Sequence, residues 1–404
     1  MTDHASPVSQ PISTLKGVFL FSSTIIGAGI LALPIVASRS GFPPLVAMIV
    51  VMAAVSALSG LYIAEAALAE RESLHLPALA KKHLGTRGFV AMFLGMAVNI
   101  YGALIGYLAA GGQIVSTLSG GAIPAWLGTL IYFGVGSLIL NRGIALVSHI
   151  NAYLMYAMLV LLGILIAMAT PVIRVPFLLR ADWTSVFDVF GVVLFAYLGH
   201  SVIPSIAVNL RNKGRIVTVV SLGIALPCVL YMLWSTAVLG VVPATSDNGN
   251  SLSAAQTAGQ PATIPLGFIM GGSVILLGNV FAVFSTLTSY MGFGISLKDC
   301  YGDIAKQQRR AVSGLALTGI VVVPPLLIAL LDPGAFERAL DIAGTFGGGL
   351  FVGILPVLIL MRVRRSVSPR TFTTWGGRTV PYVVLCVYAL GIVYTASKLT
   401  GALW

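Results

Sequence analysis

Charge is scarce in this chain of 404 residues: Asp and Glu number 12 and Lys and Arg 23, so 9% of positions are charged against 57% hydrophobic. So few polar groups cannot cover a soluble surface, and lipid must be part of the solvent. Cysteine is scarcer still. Cys228 and Cys386 fall in apolar runs and Cys300 in a polar connection, which leaves no external disulfide framework. There is no Gly-x4-Gly-Lys-Ser/Thr phosphate loop, no His-Glu-x-x-His motif and no acid–His pair in the middle of an apolar run. These absences argue against an enzyme and against a resident metal or organic cofactor. The net charge of +11 is not gathered into a basic soluble domain, so nucleic acid is not an expected partner.

What the chain has instead is apolar runs of roughly 20 residues, the length that crosses a bilayer core. About eleven are expected, near 15–37, 43–66, 88–112, 124–140, 147–170, 186–210, 216–240, 264–297, 312–331, 339–361 and 380–399. The fourth is short and the eighth long. No long polar insert separates them, so 1–404 reads as one transmembrane domain in contact with lipid. The first fourteen residues are polar and lack a basic n-region, so the run from 15 reads as a span rather than a cleavable signal. Placing the N-terminus inside puts 18 of the 23 basic residues on the cytoplasmic side, from Lys16 and Arg71 through Lys298 and Lys306 to Arg364, Arg370 and Arg378. Only Arg39, Arg174, Arg180, Arg338 and Lys398 remain outside. This asymmetry predicts a cytoplasmic (inner) membrane protein with its C-terminus external. Nothing in the sequence fixes an oligomeric state.

Two spans are built to break near mid-membrane. In the first, the hydroxyls of Ser22, Ser23 and Thr24 precede Gly27-Ala28-Gly29-Ile30, and Pro34 removes the N–H that would bond the Ile30 carbonyl. In the sixth, the run Phe195-Ala196-Tyr197-Leu198-Gly199-His200 leads to Pro204, which frees the His200 carbonyl. Free backbone groups at that depth persist only where they line a cavity or a site. Broken helices at corresponding places in two halves point to a transporter site between inverted repeats. The halves would run about 15–170 and 186–361, leaving a helix at about 380–399 outside the repeat, able to peel away or make a peripheral contact. The bland alternative is that the glycines only let helices pack closely.

The segments Gly27 to Pro34 and Phe195 to Ser205, with Leu287-Thr288-Ser289-Tyr290-Met291-Gly292 continuing to Asp299 and Asp303, resemble the amino acid/auxin permease family. The likeness is to its bacterial hydroxy and aromatic amino acid permeases. It implies an all-α, LeuT-type five-plus-five fold with helices 1 and 6 broken, within the amino acid–polyamine–cation superfamily. It also implies symport of an amino acid with a cation by alternating access. A zwitterion suits such a site, because one half-helix offers N–H groups to its carboxylate and the other offers carbonyls to its ammonium. Amides at Gly27, Ala28, Gly29 and Ile30 are expected to hold the carboxylate, with Ser23 and Thr24 beside them. Carbonyls from Phe195 through Ala196 and Tyr197 to Leu198 are expected to take the ammonium.

The coupling ion is Na⁺ or H⁺. Ser285, Thr288, Ser289, Gly292 and Ser296 form one stripe on the eighth span, and Thr288 and Ser289 match a family position that completes a sodium site with carbonyls of the first span. Hydroxyls also commonly bond back to their own helix. Relatives coupled to sodium often carry Asn where this chain has Ser23, a weaker ligand, while the fifth span lacks the Lys that replaces sodium in some proton-coupled relatives. His200 is the candidate proton carrier, or else it braces the broken helix. Asn99 shares a stripe with Gly95, Gly102 and Gly106 and reaches either the substrate or a neighbouring helix. The Gly344–Gly349 run reads as packing, Glu65 as a snorkelling end charge, Asp188 as a helix cap, and 241–262 as a mobile outer loop. With no confident buried charge to pair with, the expected substrate is a neutral amino acid. A sensor or channel-like protein without coupled transport would share these features.

Overall fold

The computed structural model describes residues 11–70, 74–142, 144–246, 249–307, 309–366 and 372–401; Arg71 and Arg370 lie outside these, as do the side chains of Asp303 and Lys306. The described chain is helical apart from two isolated bridges. Among the described residues nine helices are long and apolar enough to cross a membrane, and the pair Thr14–Ile25 and Gly29–Val36, bent by 54°, makes a tenth if taken as one span. Ala125–Asn141, with 17 residues, is apolar but shorter.

The sixth span is interrupted as its sequence requires. Phe190–Ala196 stops at Tyr197, a 3₁₀ turn covers His200–Val202, and Ile203–Asn209 resumes with Pro204 in its first turn, where no N–H is missed. The two breaks face each other. A Cβ on Gly29 would lie 2.8 Å from the Ala196 Cα, so the half-helices touch backbone to backbone and only glycine fits there.

The chain turns at Gly85 (φ 70°) within Leu76–Leu118. The third span, the helix after that turn, crosses the tenth, and its predicted glycine stripe is the contact: a Cβ on Gly102 would meet Ala343 at 2.8 Å, and one on Gly106 would meet Leu340 at 3.0 Å. Small residues bring the two backbones close, as they do between helices in lipid. Within this crossing Ala343–Ile354 is wound as a π-helix, and Gly347 sits against the Asn99 backbone. The run at Gly344–Gly349 is thus a tight crossing.

Several expectations need correction. The long eighth span is two helices, Thr263–Met270 and Gly272–Gln307, because Gly271 and Gly272 take φ of 66° and 52°, which turns the chain. The outer segment is ordered: Leu252–Thr257 is a helix with Leu252 and Ala255 buried, and Ser38 donates to Gln256 at 2.6 Å. Glu65 does not snorkel. Its carboxylate is buried and takes two bonds from Arg364, at 2.9 and 2.8 Å, and one from the Thr374 amide at 2.7 Å. Asp182, rather than Asp188, caps the turn at Trp183–Val189 by accepting from the Thr184 amide at 3.0 Å. Asp188 instead accepts from Tyr394 at 2.9 Å and Lys398 at 2.8 Å, with Arg39 at 3.8 Å. These bonds pin the last helix, Thr379–Leu399, against the sixth span, so it does not peel away.

Candidate substrate site between the broken helices

A cavity of about 540 Å³ lies between the first, third, sixth and eighth spans, within the range usual for small-molecule sites. Its polar wall holds Ser23, Thr24, His75, Asn99, Ser201, Thr288, Ser289 and Ser296. Access is one-sided. Thr24, Ser201 and Gly292 on its wall are exposed, whereas Ile30, Leu31, Phe195 and Ala196 beyond the breaks are buried. Tyr107, Phe195 and Phe293 form a triangle at the closed end, with ring centroids 6.3–6.4 Å apart and the Tyr107 and Phe293 rings stacked. Such ring pairs hold together by more than their buried area.

The half-helix ends are partly occupied. Ser289 Oγ accepts from the Ala28 amide at 3.1 Å, tying the eighth span to the first break. The Ile30 amide turns back on the Gly27 carbonyl at 3.3 Å, and the Leu198 amide on the Phe195 carbonyl at 3.1 Å. Ser23 and Thr24 donate to the Leu20 carbonyl at 3.1 and 2.7 Å, and Thr288 donates to the Ser285 carbonyl at 3.0 Å. Their protons thus point back into their own helices, which leaves oxygen lone pairs for a cation or an N–H donor.

The structure therefore brings Ser23, Thr24, Asn99, Leu198, Thr288 and Ser289 onto one cavity wall. Gly27, Ala28, Gly29, Ile30, Phe195, Ala196 and Tyr197 frame the breaks without lining that wall. Gly199 packs on Ile25. His200 lies off to the side: its Nε2 meets the Ser56 carbonyl at 2.9 Å, its ring stands edge-on to Phe21, and its buried Nδ1 has no partner among the described residues. Asn99 reaches a neighbouring helix, the packing alternative, and also lies on the cavity wall. Its amide donates to the Ala343 carbonyl at 3.2 Å, while Oδ1 is left without a partner.

Sequence reasoning missed Tyr231. Its hydroxyl lies 2.7 Å from the Ala196 carbonyl and 3.0 Å from that of Ile25, so one proton bridges the ends of both broken helices. A buried Tyr in an apolar seventh span carries no local signal of this; only the apposition of three spans creates it. Tyr107 and Phe293 were missed for the same reason.

The tryptophan/tyrosine permease family profile matches residues 11–395. The chain belongs to the tryptophan/tyrosine permease family. This permease is 25% identical over 389 residues to tyrosine-specific transport system 1 of Haemophilus influenzae, covering 95% of this chain and 96% of that one. It is 24% identical to a tryptophan-specific transport protein of Pseudomonas aeruginosa over 99% of this chain and 98% of that one. Identity to a low affinity tryptophan permease of Escherichia coli is 25%, over 95% of each. Among solved structures it is similar to MhsT in complex with L-phenylalanine, with a TM-score of 0.66, 15% identity, and 95% of this chain and 99% of that one covered. The fold is therefore all-α, LeuT-type, and the protein is a membrane transporter rather than an enzyme.

Proposed function

We propose that this permease carries a neutral aromatic amino acid across the cytoplasmic membrane together with a cation, by alternating access. The reading rests most on one observation: the cavity wall carries Phe293, stacked on Tyr107 behind it, and among the described residues holds no Asp, Glu, Lys or Arg. A charged side chain would find no oppositely charged carboxylate, ammonium or guanidinium there, whereas a flat aromatic ring would meet Phe293, backed by Tyr107 and Phe195. Relatives named for tyrosine and tryptophan transport support the same substrate class. The amides of Gly27, Ala28, Gly29 and Ile30 hold the carboxylate, and carbonyls from Phe195 to Leu198 receive the ammonium, with the bonds to Ser289 and Tyr231 giving way or sharing. Asn99 Oδ1 accepts a further donor.

For the cation we favour Na⁺ carried as cargo, held by Thr288, Ser289 and Ser23 with carbonyls of the first span, since these three hydroxyls, hard oxygen ligands, lie on one cavity wall. The partnerless Nδ1 of His200 carries the second reading, in which H⁺ is coupled instead. The architecture we assign is eleven spans in a five-plus-five inverted repeat of the amino acid/auxin permease type, N-terminus cytoplasmic and C-terminus external. The cavity then opens to the cytoplasm.

Uptake into proteoliposomes tests this with a panel of labelled amino acids, under a sodium gradient and separately under a pH gradient. Accumulation of tyrosine or tryptophan driven by sodium is the expected outcome. Arginine or glutamate as best substrate removes the neutral reading. Flux that ignores sodium removes the Thr288/Ser289 site, and pH-driven uptake surviving His200→Gln removes His200 as proton carrier. No flux at all leaves a sensor.

A further inference from the structure

A second cavity, of about 380 Å³, lies between the ends of the tenth and eleventh spans, far from the substrate site along the chain and built differently. One part of its wall is apolar, with Leu360, Met361 and Tyr382; the other carries Arg364, Arg365 and Arg378. Arg364 is already committed to Glu65 of the second span. Arg365 and Arg378 are exposed, and neither meets a carboxylate among the described residues. Beside them Trp375 and Tyr382 are 66% and 52% exposed, and apolar Val383 and Leu390 continue along the outer face of the eleventh span. Exposed aromatics flanked by arginines are the composition of a membrane–water interface.

We infer that this cavity binds an anionic phospholipid, its phosphate held by Arg365 and Arg378 and its acyl chain lying along Tyr382 and the outer face of the last helix. Two guanidiniums that meet no carboxylate among the described residues fit a phosphate, and they favour a net anionic headgroup over a zwitterionic one whose phosphate brings its own cation. The eleventh helix begins here at Arg378 without a side-chain cap, so its first amides add to the positive field. The apolar half of the wall favours a lipid over free phosphate, which needs no hydrocarbon contact. A headgroup in place would lie beside the Arg364–Glu65 pair, linking lipid composition to the second span.

Native mass spectrometry of the purified full chain provides the test, with phosphatidylglycerol and phosphatidylcholine of matched acyl chains as probes. The wild-type protein should retain phosphatidylglycerol over phosphatidylcholine by roughly tenfold or more, and an Arg365→Gln/Arg378→Gln double variant should retain the two alike. Undiminished preference in that variant overturns the proposal. The charge-keeping Arg365→Lys/Arg378→Lys variant should hold most of the preference, and its behaving like the Gln pair would count against a charged site. Millimolar inorganic phosphate should leave the retained lipid in place; displacement by it overturns the assignment to a lipid. Should the Gln variant not purify, raising salt on the wild-type protein should lower phosphatidylglycerol retention alone, and equal loss of both lipids would sink the idea.

Discussion

At the residue scale, three positions concentrate what holds this site. Gly29 lets the two breaks meet, and a side chain there would press on the Ala196 backbone, 2.8 Å from where its Cβ would stand. We expect Gly29→Val to cut uptake at least tenfold while the protein still inserts, since overpacking costs about 1–3 kcal/mol and falls here on the moving parts. Uptake normalised to surface-inserted protein checks this, and unchanged uptake would mean that the breaks do not touch. Phe293→Ala opens one corner of the aromatic triangle and should weaken aromatic substrates by about fivefold, in line with about 1 kcal/mol per ring pair. Small neutral amino acids should be affected less. Glu65 is different in kind, because it acts on stability: its carboxylate is buried against a largely buried Arg364. Glu65→Gln removes the negative charge that faces that guanidinium and should cost about 3 kcal/mol, read as a lowered melting temperature in detergent. Adding Arg364→Met should restore much of it.

At the element scale, the eleventh helix is held at its outer end by Asp188 and along its length by the tenth span, where Gly353 receives the Tyr388 ring. Lys398→Met should loosen that end and raise hydrogen exchange in the last turns, leaving the tenth span protected. Much of the element order was legible because a span announces itself by length and apolarity. Gly27 and Gly29 named the breaks because glycine weakens a helix, and Pro34 and Pro204 because proline has no N–H to offer the carbonyl four residues back. Other features were not legible. The turn at Gly271 looked like the middle of one long span, since a glycine pair in an apolar run reads the same whether it bends or packs. Glu65 and Asp188 looked like end charges because their partners, Arg364 and Lys398, lie about 200 or more residues away in sequence. Tyr231 shows the limit most clearly: its role exists only where the first, sixth and seventh spans meet.

For the whole molecule, the account is of a cavity open on one face and closed on the other by the apposed half-helices and the aromatic triangle. In the orientation we propose, N-terminus cytoplasmic, cysteines placed at Thr24 or Ser201 should react with a membrane-impermeant reagent from the cytoplasmic face only, and added substrate with its cation should change that rate. Labelling from the external face in the resting protein would reverse the orientation. The central claim is that the two breaks hold both charged ends of an aromatic amino acid, and it is tested most directly by equilibrium binding of labelled L-tyrosine to the purified protein, with competitors that lack one end. L-Tryptophan should displace the label, whereas tyramine, which lacks the carboxylate, and 3-(4-hydroxyphenyl)propionate, which lacks the ammonium, should not. Displacement by either analogue as effective as that by tyrosine itself would contradict the account.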